Sequence, residues 1–473
     1  MKNLTFCIIL SLFIFDSTAQ ELACDNDQLK DAYNLAVNTV QINVRRGILA
    51  AGGDYGGEWT RDIAINSWNG VSMIMPEVAE RSLWSVTLNR DTIGHQYWDK
   101  ILWVLAANNH YNITGDQDFL QQAYLCSANT MKQLELTVFD EDYGLFAGPA
   151  VLADGIAGYP EPVFDSANHS SFVLDHKNAA PIKCLSTNCV YYGAYLALAG
   201  MATELHKDPV IIGMYSAKAV GLKTAILKYF YDATDDKLDY LIDHTGKIDP
   251  SQEALGYSFA VLTGILNKDQ APELVGKAVT SGYGITCLYP DFPRYSPGKP
   301  GRHNNIVWPM ANGFFARACI DAGNTTAFMK ELNGLTQLAL DADKGNYQFW
   351  EIYNPYTGQR DGGYQAAGKD HPDFHWKSCR NQTWSATAYI EMIHYGLAGI
   401  RLDGDGLRLE PFLPEGVHYL KLTDLFYRQS KLSIVLIGKG RKVKSFLLDG
   451  VKQDDHVVPR NIMGNHEVVV EME

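Results

Sequence analysis

The stretch TWSATAYIEMIHYGLAG, residues 383–399, runs for seventeen positions with Glu391 and His394 as its only acidic or basic groups. A helix with no polar face is stable only when it is buried on all sides, so this segment belongs inside a protein. Five others of the same kind precede it, at about 62–75, 98–110, 188–205, 254–267 and 305–322. Segments with charged faces lie between them, at about 28–43, 77–90, 117–137, 209–230, 272–281 and 325–342. Short polar links with Gly, Asp or Pro breakers, such as ITGDQD (113–118), HKDP (206–209), NKDQAP (267–272) and AGNTT (322–326), join a buried-type helix to an amphipathic one, as in an αα-hairpin. Six inner and six outer helices in alternation pack naturally as a closed (α/α)6 toroid, so the expected fold is mainly α.

The remaining connections include the long ones, 138–187, 231–253, 282–304 and 343–382, rich in Gly, Pro, Asp and Tyr. Long loops without regular structure in a compact domain are usually functional. Each of these leads into an inner helix at its N-terminus, so all lie at one end of the toroid, where helix dipoles favour carboxylates and sugar oxygens. After residue 400 the pattern changes to short strands, KLSIVLIG, KSFLLDG and HEVVVEME among them. The expected division is a leader over 1–19, a helical catalytic domain over 20–400 and a small C-terminal β segment over 401–473. The DGDG at 403–406 reads as a turn, because the twelfth position of a calcium loop would be Pro414 instead of Glu.

Residues 1–19 have the form of a cleaved secretory signal: Lys2, the apolar run Phe6–Phe15, then Ser17-Thr18-Ala19. That run is too short to span a bilayer, and no spanning segment is expected later. Export to the periplasm or outside the cell follows. Loss of Cys7 with the leader leaves seven cysteines, an odd number, so at least one thiol stays free; Cys184 and Cys189 are close enough to bridge, but small buried thiols are the simpler reading. No CxxC pair supports a zinc site. The net charge of −14 argues against nucleic acid and anionic membranes as partners, and fits a neutral ligand. An aromatic share of 11% suits sugar stacking.

Three segments can carry chemistry. FWEIYNPYTG (349–358) holds Glu351 between the rings of Trp350 and Tyr353, just before the buried helix that QTWSATAY (382–389) begins. A charge there is costly, which suggests a task such as activating water beside a sugar. GGDYGGEWTRDIA (52–64) sets Trp59, Arg61 and Asp62 on the opening turn of the first inner helix, where an Arg–Asp pair can fork onto adjacent hydroxyls while Trp59 stacks on a ring. Inverting cleavage needs a protonated acid roughly 6.5–9.5 Å from the base. Asp154 lies in the otherwise uncharged run from Gly144 to Pro160, where desolvation is expected to keep it protonated; Glu161, Asp165 and Asp175 are its rivals. Trp350 and Tyr353 are expected to face the substrate, and Trp308, His303, Asn304 and Asn312, with Gln382 and Trp384, are candidates for the pocket lining.

These elements resemble the (α/α)6-barrel, or six-hairpin, glycosidases, the group of glucoamylase, trehalase, the processing α-glucosidases and mannosylglycerate hydrolase. WTRD (59–62) is similar to the element that holds the nonreducing-end sugar in glucoamylase. The E-x-Y of Glu351 and Tyr353 with NPYTG resembles the base-bearing segment, TWSA (383–386) the helix opening after it, and GLRLEPFLPEG (406–416) the crossing into the C-terminal β segment. The resemblance implies an inverting exo-glycosidase for an α-linked gluco- or manno-configured oligosaccharide, with no metal or organic cofactor. It implies Glu351 as base and Arg61 with Asp62 as sugar-binding residues. The Trp-Glu-Glu of glucoamylase and the Gly-Trp-Asp of trehalases are absent, and Ala153-Asp154-Gly155 occupies a comparable place. Two further readings stand beside this one: a phosphorylase of the same barrel, which would lack the base, and a carbohydrate-binding barrel without turnover.

Overall fold

The computed structural model describes residues 20–57, 59–365 and 373–473; the leader read over residues 1–19 lies outside the described residues. The chain is mainly helical. In chain order its helices are α1 (Asp27–Ile42), α2 (Thr60–Asn66), α3 (Pro76–Ser85), α4 (Leu102–Thr114), α5 (Gln117–Val138), α6 (Leu185–Glu204), α7 (Pro209–Phe230), α8 (Ala254–Leu262), α9 (Gln270–Lys277), α10 (Pro309–Asp321), α11 (Thr325–Leu340) and α12 (Thr383–Glu391). The even-numbered helices contact one another in sequence, α2 to α4 and on to α12, and α12 packs back on α2, so they close a ring. The odd-numbered helices pack outside it, each against an even-numbered neighbour.

The short links do what their polar residues predict. Asp116, Asp208 and Asn324 accept hydrogen bonds from the first free N–H groups of α5, α7 and α11, and Asn26 does so for α1. Gly115, at φ 70°, ends α4. The inner helices differ: Trp59, Cys184, Glu253, Trp308 and Gln382 stand at the cap positions of α2, α6, α8, α10 and α12, and none caps its own helix through its side chain. Free N–H groups therefore collect at one end of the ring.

Two inner helices are not regular. The segment expected to run unbroken over 62–75 kinks within Ser67–Val71, where Asn69 (φ −89°, ψ 49°) and Gly70 (φ 105°) leave the helical conformation. The last inner helix turns π-helical at Met392–Leu397. At the kink the first and last inner helices come close: a Cβ on Gly70 would lie 2.7 Å from Ile390 Cγ2.

The β part is larger than a small C-terminal segment. The C-terminal region holds β2 (Ile400–Leu402), β3 (Gly406–Leu409), β4 (Tyr419–Tyr427), β5 (Gln429–Ile437), β6 (Val443–Leu448), β7 (Val451–Lys452), β8 (Val457–Pro459) and β9 (Met463–Met472). However, the six-stranded sheet, in the order β1-β4-β5-β9-β6-β7, takes its edge strand β1 (Leu22–Cys24) from the other end of the chain, with Leu22 opposite Leu422. Short strand pairs also stiffen the long loops, as where Leu241–Ile242 lies between Lys183–Cys184 and Ile248–Asp249. The DGDG segment is a turn in which Asp403 Oδ1 accepts from the N–H groups of Asp405 and Gly406.

All seven cysteines of the described residues are free, Cys184 and Cys189 included. One helix, α7, is long and apolar enough to cross a membrane by length and composition, contrary to the sequence expectation. In the structure it is a member of the outer set, packed along α6 with Lys218 paired to Glu135 at 2.6 Å.

Candidate active site

A cavity of about 320 Å³ opens at the end where the inner helices begin. Trp59, Arg61 and Asp62 reach it from α2, Trp308 from the start of α10, and Gln382 and Trp384 from α12; Asp154 and Glu351 come from two of the long loops. Segments far apart in sequence thus meet because they all lead into inner helices at the same end.

Glu351 is 2% exposed. Its Oε1 accepts from Tyr55 Oη at 3.0 Å and from Arg302 Nη2 at 2.8 Å, while Oε2 takes a longer bond of 3.4 Å from the Cys379 N–H. Burial and the Glu351 charge push the Tyr55 phenol above its ordinary value, so it remains a neutral donor. The Arg302 guanidinium lies between the rings of Trp308 and Trp376, 5.2 and 5.1 Å from their centroids, and donates to the Gly362 carbonyl. The Glu351 carboxyl is therefore fixed on one oxygen, with the other oxygen less engaged.

Trp350 and Tyr353, expected to face a substrate, do not line the cavity. Tyr353 is buried; its hydroxyl accepts from the Trp350 N–H and donates to the Gln348 carbonyl. Trp350 Nε1 donates to the Gly345 carbonyl, and Ser385 Oγ donates to the Trp350 carbonyl. These rings clamp the backbone on either side of Glu351 and tie it to α12.

Asp154 also differs from its sequence reading. Arg61 Nη2 donates to its Oδ2 at 2.8 Å, and His303 Nε2 stands 3.3 Å from its Oδ1. Burial alone would raise its pKa, but Arg61 and His303 outweigh burial and hold the carboxyl well below the usual carboxylate range. Asp154 is thus ionised in this structure, because its uncharged sequence neighbours are not its spatial neighbours. Gly155 follows because a Cβ there would collide with Gln365 and His303.

The group that keeps a proton is Asp62. It is 4% exposed, and burial raises its pKa to about 7, with the charges of Glu351, Asp154 and Asp99 adding to the effect and Arg61 opposing it. Asp99, which sequence reasoning missed, pairs with Arg61 Nη1 at 3.3 Å, accepts the Leu152 N–H, and is raised to about 6 by burial. Arg61 is thus shared among three carboxylates instead of forming a simple pair with Asp62. Glu161, Asp165 and Asp175 lie off the cavity; Asp165 accepts the Ala167 N–H, and the Asp175 carboxylate takes the Ser170 hydroxyl. Asn304 and Asn312 are structural: Asn304 Oδ1 accepts the Phe292 N–H, and Asn312 Nδ2 donates to Glu331 at 2.6 Å.

Several buried polar atoms around the cavity have no hydrogen-bond partner among the described residues: both amide atoms of Gln382, Nε1 of Trp308 and Trp384, and Nε of Arg61. Such atoms are costly unless a ligand or water serves them. With the exposed rings of Trp59 and Trp376 at 39% and 36%, they suit a ring that carries many hydroxyls. Tyr55, Arg302, Trp376 and Gln365 were not found from sequence. Arg302 directly precedes His303 and Asn304, and Tyr55 sits in the glycine-rich stretch 52–57, so adjacency was the available signal.

A six-membered helical ring with paired carboxylates facing one cavity defines a six-hairpin glycoside hydrolase. Residues 87–385 match the family model of the mannosylglycerate hydrolase MGH1-like glycoside hydrolase domain, and the chain belongs to that family. No curated protein sequence matches it. Among solved structures it is similar to a sialidase (TM-score 0.70, 15% identity, 92% of this chain and 40% of that one). It is also similar to a GH78 family rhamnosidase from a Bacillus species (0.60, 13%, 96% and 44%). A GH63 mannosylglycerate hydrolase from Thermus thermophilus in complex with glucose aligns over 76% of this chain and 99% of its own, at TM-score 0.57 and 15% identity. The chain spans less than half the length of the first two.

Proposed function

We propose that the chain is an exported, inverting, exo-acting glycoside hydrolase for an α-linked gluco- or manno-configured oligosaccharide, built on an (α/α)6 toroid of six inner and six outer helices. The observation that carries this reading is the pairing, across one cavity, of Glu351 with Asp154 amid unpartnered hydrogen-bonding groups. Glu351, held by Tyr55 and Arg302, takes a proton from water through Oε2. Asp154 protonates the leaving oxygen. Its proton comes from the cluster: Asp62, Asp99, Asp154 and Glu351 outnumber Arg61 and Arg302, so near neutral pH one proton stays among them, on Asp62 when no sugar is bound. A sugar hydroxyl that takes Arg61 Nη2 weakens its hold on Asp154, and the shared proton moves there, as coupled groups allow. Water then attacks from the side of Glu351 in a single displacement.

The family supports the gluco- or manno-configuration, and the leader reading of residues 1–19 supports export. The test is a panel of α-gluco, α-manno and α-rhamno oligosaccharides together with mannosylglycerate, followed by NMR of the first-formed anomer. Inversion without added phosphate is expected; retention would remove Glu351 from the role of base, and dependence on phosphate would make the protein a phosphorylase. The Asp154–Arg61 ion pair also favours a second reading, a carbohydrate-binding barrel. In that case no glycan is turned over, while Glu351→Gln leaves affinity intact.

A further inference from the structure

A second cavity, of about 420 Å³, opens at the opposite end of the inner ring. Trp68 of the kink in the first inner helix lines it, with Asn109 and Asn112 from the last turns of α4, Arg317 of α10, Glu391 of α12 and His394 of the π-helical turn. Gln382 and Glu391 mark the two ends of α12, separated by nine residues or about 13 Å of helix. The second cavity is thus apart from the first.

Three observations mark it as built for a ligand. Arg317 and Glu391 are both over nine-tenths buried and paired at 3.3 Å, yet Arg317 Nε has no hydrogen-bond partner among the described residues; nor does His394 Nδ1, although His394 Nε2 meets the Tyr33 hydroxyl at 2.7 Å. The kink at Ser67–Val71 and the π-helical turn at Met392–Leu397 both face this cavity, and a π-helical turn occurs often at functional sites. Its volume falls within the roughly 300–1,000 Å³ of small-molecule sites.

The chemistry of the ligand follows from the charges. Arg317 is balanced by Glu391, and Arg401, which also lines the cavity, by Asp321 at 3.2 Å. An anion would meet Glu391 and the carbonyl ends of α4 and α8, whereas a cation would meet the two guanidiniums. The amides of Asn109, whose Nδ2 also reaches the Trp68 carbonyl at 3.4 Å, and Asn112 can donate and accept, and helix-end carbonyls accept from hydroxyls. We propose that this cavity is a second binding site, for a neutral polyhydroxylated molecule of monosaccharide size.

The test titrates D-glucose, D-mannose, L-rhamnose and glycerol, and sodium acetate as an anion, into the full-length protein by calorimetry, and repeats the series with Asn109→Leu and Asn112→Leu. Both sites are half-exposed and leucine is the better helix former, so the fold is retained. At least one of the four polyols binds the wild type and loses about tenfold in affinity in both variants, as expected for one or two lost hydrogen bonds. Glu351→Gln leaves this component unchanged. The proposal is overturned if polyol binding is the same in wild type and both variants, if none is detected, or if acetate binds there in preference. The readout needs no turnover, so a protein inactive on every glycan can still pass it, and an active one can fail.

Discussion

The two ends of the inner ring are made by the same helices and carry opposite designs. At the end where the helices begin, four carboxylates face two guanidiniums, and the mismatch keeps a proton on Asp62 with a pKa near 7. At the other end Glu391 and Asp321 are matched one to one by Arg317 and Arg401. Unequal charge stores a proton that can be moved, which chemistry requires. Equal charge holds a shape that can select a ligand and nothing more. The α-helix N-termini at the first end, with no side-chain caps of their own, add positive potential that makes its excess of carboxylates tolerable.

Glu351→Gln breaks the contrast most directly. Hydrolysis is expected to fall about 10³-fold, within the range for a general base, with sugar affinity kept at both ends; a loss under tenfold would point to Asp62 as the base. The next test compares the arginines in urea unfolding. Arg61→Met strands three carboxylates and is expected to cost about 3–5 kcal/mol, and Arg317→Met, which strands one, roughly half of that or less. Equal costs would erase the distinction between the ends.

Titration gives a third test. Glu253, at the start of α8, accepts the Ser186 N–H of α6, and burial raises its pKa to about 8. The folded state binds this proton more tightly than the unfolded chain does. Its stabilising effect is therefore full below the unfolded pKa and is lost as pH rises through about 8. Asp62, Asp99 and Glu331 have the same sign. Stability should decline between about pH 5 and pH 8, and Glu253→Gln should remove a part of that decline on the order of a few kcal/mol; an unchanged slope would mean that Glu253 is ionised throughout. The smallest effect concerns the exposed rings of the mouth. Trp59→Ala and Trp376→Ala are each expected to raise KM about 3–10-fold with kcat nearly constant, the worth of one stacked ring.

The helices were legible in sequence because burial on every side leaves a mark in composition, as in 383–399, and because Asp116, Asp208 and Asn324 stood where caps are needed. The kink at Gly70 was not, since Gly70 meets Ile390 only after the ring has closed. In the site, Glu351 stood out as a lone acid before an apolar helix. Its neighbours misled: adjacent rings promised a sugar platform, and Trp350 and Tyr353 instead clamp the backbone. Asp154 misled in the opposite direction, its partners Arg61 and His303 being some 90 and 150 positions away. Asp99 and Glu253 carried the same signal as Glu351, an acid leading into an uncharged helix, and that pattern marks a buried carboxylate without saying which one reacts.

The strand β1, completing a sheet whose other members come from the last tenth or so of the chain, also sets the order in which the molecule is made. Helix α1 beside it is seated on α11 and α12. On a ribosome the first helix emerges early and finds no partner until nearly the whole chain has followed, and contacts of such long range are slow to form. The first-made segment is thus among the last to settle, and the ring stays open until synthesis is almost complete.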